Sequence, residues 1–373
     1  METTEAIEDA RRSMQICNSC RYCEGYCAVF PAMELRTVFT NEDLAYLSNL
    51  CHNCRGCLYS CQYAPPHEFA LNLPRTFAQV RNETYKFYAW PAPLAKLFER
   101  NGVVLSIATS ISLTVVLALA SMFHSPGVLY GRHTGPGAFY RIIPFLTMTS
   151  VAAVTFSFSA IAMAIGFFKF WRDIGGQSRE ILEPAPLGRA TSDAMTLKYL
   201  GGGDGGGGCN DKNETSSTTR KRYHHFLFYG FLLCMASTTV AAIYDHFLHW
   251  IAPYPLLSLP VVLGTAGGLG MVIGCGGLLG LKITADQTPS APNLLGADVA
   301  LILLLGLSAL SGLILLALRA SSAMGTLLSL HLGFILALFV VLPYSKFVHG
   351  IYRSGALLKF AKERKTKTIT EGH

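Results

Sequence analysis

Apolar residues in this chain are bunched. From Gly102 onward, six stretches near 102–123, 142–170, 226–250, 257–281, 294–318 and 321–345 are long and apolar enough to cross a hydrocarbon core, which takes about 20 helical residues. No water is available there to satisfy backbone polar groups, so uninterrupted runs of this length predict helices. The first hundred residues differ, carrying charges throughout and eight cysteines in two runs. Between those runs, Thr40 to Leu50 opens on a Thr/Asn/Glu/Asp cluster whose oxygens and carboxylates suit a helix N-terminus, so a helix is predicted there.

Composition agrees: 51% of residues are hydrophobic, 14% are charged and the mean hydropathy is +0.37. The basic residues avoid the apolar runs. Arg172, Arg179, Arg189, Lys198, Arg220, Lys221 and Arg222 lie in 171–222, and Lys346, Arg353, Lys359, Lys362, Arg364, Lys365 and Lys367 lie in the tail. The opposite loops offer Arg132, Arg141 and Arg319. Six spans put both termini on one side, and the positive-inside rule makes that side cytoplasmic. The net charge of +7 therefore reports topology and contact with membrane lipid, and no nucleic-acid partner is expected. The N-terminal METTEAIEDARRSM lacks the apolar core of a secretory signal. GGGDGGGGCNDKNETSS (201–217) has the glycines for an anion-binding nest but is expected to be a flexible polar linker. His124 and His133 are expected in loops on the outer side.

The cysteine runs, CNSCRYCEGYC (17–27) and CHNCRGCLYSC (51–61), each read C-x2-C-x2-C-x3-C. Three thiolates so close together let one tight loop wrap three corners of an iron-sulfur cube, and the fourth is expected to start the helix that leaves it. In two-cluster ferredoxins the fourth cysteine serves the other cluster. That rule predicts Cys17, Cys20 and Cys23 with Cys61 around one [4Fe-4S] cluster, and Cys51, Cys54 and Cys57 with Cys27 around the other. The proline that usually follows the fourth cysteine is absent, replaced by Ala28 and Gln62. Zinc sites generally use two pairs of ligands, and a cytoplasmic setting disfavours disulfides. Cys209, Cys234 and Cys275 lack partners at ligand spacing, and no C-x-x-C-H occurs to attach haem covalently. The expected fold is all-α. A ferredoxin-like two-cluster iron-sulfur domain (1–100) precedes a six-helix transmembrane bundle (101–350) with loop 171–222, and a basic tail (351–373) follows.

Ionisable residues within spans are functional candidates by default. The last span carries His331 and, eighteen residues on, His349. On one continuous helix that is five turns and about 27 Å, with both rings on the same face. The third span has His224 and His225 at one end and His246 and His249 at the other. These depths match, which suits b-type haems held between the two helices. The expected pairs are His225 with His349 and His246 with His331, with His224 and His249 as substitutes. Asp245 could orient an imidazole or carry protons for a quinone.

Together, the doubled cysteine motif, APPHEFALNLP (64–74), GGGDGGGGCND and the RYHH opening of the third span resemble the tricarballylate/citrate utilisation protein B family (TcuB/CitB). The likeness runs over nearly the whole chain. The last span also resembles the gamma subunit of respiratory nitrate reductase and membrane subunits of heterodisulfide reductases. There a histidine early in the helix and another in a P-[FY]-[ST]-K/R-x-V-H ending bind haem, positions held here by His331 and His349. The family resemblance implies a protein of the bacterial inner (cytoplasmic) membrane. It would reoxidise the FAD of a partner tricarballylate dehydrogenase and pass electrons through two [4Fe-4S] clusters and haem b to the quinone pool. No G-x-G-x-x-G follows a strand, so the flavin belongs to the partner. Two rivals compete with this expectation. One is a tricarboxylate transporter with an iron-sulfur sensing domain, whose Gly-rich span 264–280 would line a path. The other is a structural anchor for a dehydrogenase.

Overall fold

The computed structural model describes residues 1–123, 125–201 and 207–371, so His124 and positions 202–206 of the glycine-rich segment lie outside the described residues. The helices are α1 (Glu5–Cys20), α2 (Val29–Met33), α3 (Asn41–Leu50), α4 (Gly56–Tyr59), α5 (Leu73–Tyr88), α6 (Asn101–Phe123), α7 (Pro126–Leu129), α8 (Phe145–Asp173), α9 (Pro184–Met195), α10 (Thr219–His246), α11 (Leu259–Thr284), α12 (Pro292–Leu318), α13 (Met324–Val341) and α14 (His349–Glu371). The fold is all-α among the described residues. An isolated antiparallel bridge joins Cys209 to Ser217.

The N-terminal domain is built on α1, α3 and α5, and each start has a local cause. Thr4 accepts from the Ile7 amide, Asn72 from that of Arg75, and Thr40 and Asp43 form a reciprocal capping box at α3. Their inner faces bury Ile7, Met14, Leu44, Leu47, Phe77 and Val80. That core continues into Trp171 at the end of α8 and Tyr352, Leu357 and Phe360 of α14. Full burial of one such side chain contributes roughly 1.5–3 kcal/mol. The expected tail is therefore a packed helix: Glu363 accepts from Arg36 at 2.7 Å and from Tyr46 at 2.9 Å.

Six helices are long and apolar enough to cross a membrane, at Gly102–Met122, Phe145–Asp173, Thr219–His246, Leu259–Thr284, Pro292–Leu318 and Met324–Tyr344. α10 packs along α11 and α11 along α12; α12 meets α13 and α6, α6 meets α13, and α13 meets α8. The glycine-rich span 264–280 is a packing face. A Cβ added at Gly274 would stand 2.5 Å from the Leu227 amide nitrogen, and one at Gly230 would stand 2.7 Å from the Gly267 carbonyl. α10 and α11 approach backbone to backbone, as small residues permit.

Four local expectations change. Segment 171–222 carries α9, and its described stretch 207–217 is pinned to the N-terminal domain by the Asn210 amide, which donates to the Cys54 carbonyl at 2.9 Å. The third span begins at Thr219, about two turns before its apolar run, because hydrophobicity alone does not mark a polar first turn. After Cys27 a helix follows, but after Cys61 the chain turns irregularly until Leu73; Pro65 and Pro66 lack amide donors and disfavour helix in the residue before them. Finally, the helix carrying His331 stops at Val341. Two 3-10 turns follow, separated by an extended Ser345 (φ −123°, ψ 172°), and His349 opens a new helix. The shared-face argument for His331 and His349 fails at this break.

A double cysteine site beside a histidine pair

Both cysteine runs make the same bend. Arg21 and Arg55, each directly after the second cysteine of its run, take left-handed conformations with φ of 55° and 71°. A left-handed residue there turns the backbone back on itself, which brings cysteines three apart to one side.

Cys17, Cys20, Cys23 and Cys61 line one cavity together with Cys57, Tyr22, Phe30 and Leu71. Cys17 interacts electrostatically with Cys23, Cys61 and Cys20, while Cys27 interacts with Cys54 and Cys51, and Cys57 with Cys54, Cys27 and Cys51. The fourth cysteine of each run thus faces the other run's triplet. Burial, reinforced by neighbouring cysteines, pushes the Cys17 and Cys23 thiols up to about 12, and burial holds Cys27 and Cys57 well above the ordinary range. Such thiols give up protons only to a strongly cationic group. No three His, Cys, Asp or Glu among the described residues gather as they would around one metal ion. Cys17, Cys20, Cys23 and Cys61 instead surround a cavity.

The two groups sit in different surroundings. Near the first, Tyr22 is 66% exposed, and Cys20 borders a second cavity with Gln15, Tyr63 and Phe69. The second group is bordered by four other parts of the chain. Arg55 donates to the carbonyls of Asp211 (3.2 Å) and Asp286 (3.0 Å), and the Tyr59 hydroxyl donates to Asp286 Oδ2 at 2.6 Å. Arg220 at the head of α10 donates to the Asn53 carbonyl at 2.8 Å and pairs with Asp211. Arg353 of α14 donates to the Cys51 carbonyl at 2.9 Å.

One helical turn beyond those two arginines stand His224 and His349, with ring centroids 6.1 Å apart and planes at 79°. His349 Nδ1 lies 2.6 Å from the Lys346 carbonyl, which fixes the ring and leaves Nε2 for another partner. His224 Nδ1 and His225 Nε2 are both buried without a hydrogen-bond partner, so ring position and not an orphaned nitrogen separates the two. Imidazole nitrogens bind metals at about 2 Å, so two rings on opposite sides of one metal have centroids about 6 Å apart. The pair fits that arrangement. The ring against His349 is that of His224, whereas His225 sits on Tyr229 and the backbone of Met195 and Thr196. Consecutive residues point about 100° apart on a helix, so only one of the two can face α14.

The far end does not assemble the expected pair. His246 is exposed, packs on Phe145 and bonds the Ala242 carbonyl, with Asp245 beside it accepting from Tyr140 at 3.2 Å. His331 Nδ1 instead faces Ser311 Oγ at 3.1 Å, against Gly312. His249 lies beyond the end of α10 with φ 54°, and His133 bonds the Val128 carbonyl in the loop after α7. Sequence reasoning missed Arg81, Arg220, Arg353, Asp211 and Asp286. For two of them a signal existed, an arginine four residues from a histidine at the start of each helix: Arg220 with His224, and His349 with Arg353.

Comparison with known proteins matches residues 10–86 to the citrate utilization protein B Fer4-like domain and residues 96–370 to citrate utilization protein B. Citrate utilization protein B of Escherichia coli is 45% identical over 367 residues, covering 97% of this chain and 94% of that protein. No solved structure matches. With its Fer4-like domain joined to six apolar helices and likeness along almost its entire length, the chain belongs to the citrate utilization protein B family.

Proposed function

We propose that the protein is the membrane electron-transfer partner of a flavin-dependent tricarboxylate dehydrogenase, reoxidising its reduced FAD and passing the electrons to quinone. The observation that carries this reading is the arrangement of eight cysteines as two facing groups, one near solvent and one next to the His224–His349 pair. Cys17, Cys20, Cys23 and Cys61 would hold one [4Fe-4S] cluster, and Cys51, Cys54, Cys57 and Cys27 the other, within a domain of residues 1–100. His224 and His349 would hold a b-type haem at the cysteine-domain end of the bundle (101–350). When bound, clusters of this kind accept and release single electrons, which suits them to a two-electron flavin donor.

The chain's own groups do the rest. Tyr22, Tyr63 and Phe69 leave the first group approachable from solvent, while Arg55 and Tyr59 tie the second to the segment before α12 through Asp286. The Lys346 carbonyl orients His349. Between α6, α8 and α13 an apolar cavity lined by Val116, Met148, Val151, Ile335 and Phe339 suits an isoprenoid chain. Citrate utilization, the role named for the relative, points to citrate, tricarballylate or a similar tricarboxylate as the partner's substrate. The topology proposed is that of an inner-membrane protein with both termini in the cytoplasm, from the bias of Lys and Arg.

The test uses full-length protein purified anaerobically into nanodiscs. Iron and sulfide analysis should give two four-iron clusters, and a pyridine haemochrome assay should give b-type haem. Protein reduced by the flavoprotein should be reoxidised when a quinone is added. Trace iron, or a reduced spectrum that quinone leaves unchanged, would sink the proposal.

A further inference from the structure

Arg81 and Arg353 reach the same carbonyl, that of Cys51, at 3.2 and 2.9 Å, and Arg81 also donates to the Ser48 carbonyl at 2.9 Å. Arg81 is only 7% exposed. Among the described residues no carboxylate stands within ion-pair distance of either guanidinium. Buried charges are ordinarily paired, so the buried Arg81, with the half-buried Arg353 converging on the same cysteine, calls for a nearby anion. Arg220, on the next carbonyl but one, is already matched by Asp211.

The first cysteine group has no such surroundings. Arg12 is paired with Asp9 at 3.6 Å, Arg21 is exposed and bonds the Asn18 carbonyl, and the neighbour of Cys20 Sγ is the neutral Gln62 amide at 3.8 Å. Electrostatic interactions tell the same story. Cys51 interacts with Arg353 and Cys54 with Arg220, whereas Cys17 and Cys23 interact with other cysteines.

We propose that Arg81 and Arg353 are positioning residues that raise the reduction potential of the cluster held by Cys51, Cys54, Cys57 and Cys27 above that of the other. This inference rests on the iron-sulfur reading given above. A reduced cluster carries one more negative charge than an oxidised one, so fixed cations beside it favour the reduced form. Burial acts in the opposite sense, since desolvation disfavours the added charge. The two guanidiniums offset that penalty at the enclosed site, and the exposed site has water instead. With clusters bound, this order of potentials would favour one-electron transfer from the exposed site, which would be oxidised, to the enclosed site, which would be reduced, with no proton or co-reactant required.

Redox titration of the full-length protein, followed by electron paramagnetic resonance, tests this. The two signals are assigned with Cys20→Ser, which perturbs the exposed cluster. In wild type the enclosed cluster should be reduced first. Arg353→Gln and Arg81→Gln should each shift its one-electron reduction equilibrium by about tenfold toward the oxidised form, equivalent to about 59 mV. The exposed cluster should not move. Arg353→Lys, which keeps the charge, should retain the wild-type potential even if the glutamine variant assembles poorly. Arg12→Gln should shift neither cluster. Unchanged midpoints in both glutamine variants at wild-type iron content, or equal shifts of both clusters, would overturn the inference. Wild type without any iron-sulfur signal would instead overturn the functional reading, before any variant is compared.

Discussion

The Tyr46 hydroxyl donates to Glu363 Oε2 at 2.9 Å, joining a helix between the cysteine runs to one made more than three hundred residues later. Arg36 bonds the other oxygen at 2.7 Å and also holds Asp43 at 2.6 Å. Removing Glu363 leaves Arg36 with Asp43 as its carboxylate and the Tyr46 hydroxyl without an acceptor, so the loss is that of charge-assisted hydrogen bonds, about 1.5–3 kcal/mol. Glu363→Ala should therefore loosen the N-terminal domain by about 2 kcal/mol, seen as faster proteolysis within residues 1–90 and a lower melting temperature. Wild-type proteolysis would show that the contact is dispensable.

Replacing His224 or His349 with alanine should abolish b-type absorbance while iron and sulfide stay at wild-type levels. His225→Ala should retain the haem, because that ring points to Tyr229. A haemochrome assay on the three proteins checks this, and loss of haem in the His225 variant alone would restore the pairing expected from sequence.

Crossed ligation makes a sharper prediction than the motif alone. Cys61→Ser should damage the same signal as Cys17→Ser, and Cys27→Ser the same one as Cys54→Ser, since Cys61 shares a cavity with Cys17 and Cys27 interacts with Cys54 and Cys51. Iron analysis with paramagnetic resonance reads this directly. If Cys61→Ser damaged the signal that Cys54→Ser damages, each run would hold its own cluster.

Between α10 and α11, Gly274→Leu has no room, because its first side-chain carbon would already meet the Leu227 backbone. Overpacking of this kind costs about 1–3 kcal/mol. Unfolding in mixed detergent should report that loss, whereas leucine at Gly276, which has open space, should be tolerated.

The contact between Tyr59 and Asp286 gives a pH dependence. The Tyr59 hydroxyl bond, helped by the Thr288 amide, lowers the Asp286 carboxyl below its ordinary value. A depressed folded value stabilises the fold above the unfolded pKa of about 3.9 and loses that contribution as pH falls through the lower folded one. Protection factors in residues 285–291, taken relative to the intrinsic exchange rate at each pH, should be flat from about pH 5 to 8 and should fall below about pH 4. In Asp286→Asn the acid-induced loss of protection should be absent.

Much of this architecture is legible in the chain. The spans follow from uninterrupted apolar runs, the α3 start from Thr40 and Asp43, and the cysteine grouping from spacing. What pattern could not supply is contact between distant segments. Pro343 and Ser345 interrupt a run that reads as one helix, so His349 could not be placed by counting turns from His331. His224 and His225 are equivalent as neighbours in sequence, and only the rotation of α10 against α14 separates them. The glycine-rich loop reads as a linker because nothing local reveals that Asn210 will meet Cys54.

The apolar core of the first ninety residues is closed by Tyr352, Leu357 and Phe360 of the final helix. During synthesis, the cysteine-bearing segment emerges first yet lacks one wall of its interior until every span has been threaded. A chain truncated before α14 would leave the cysteine-bearing segment with an open apolar side.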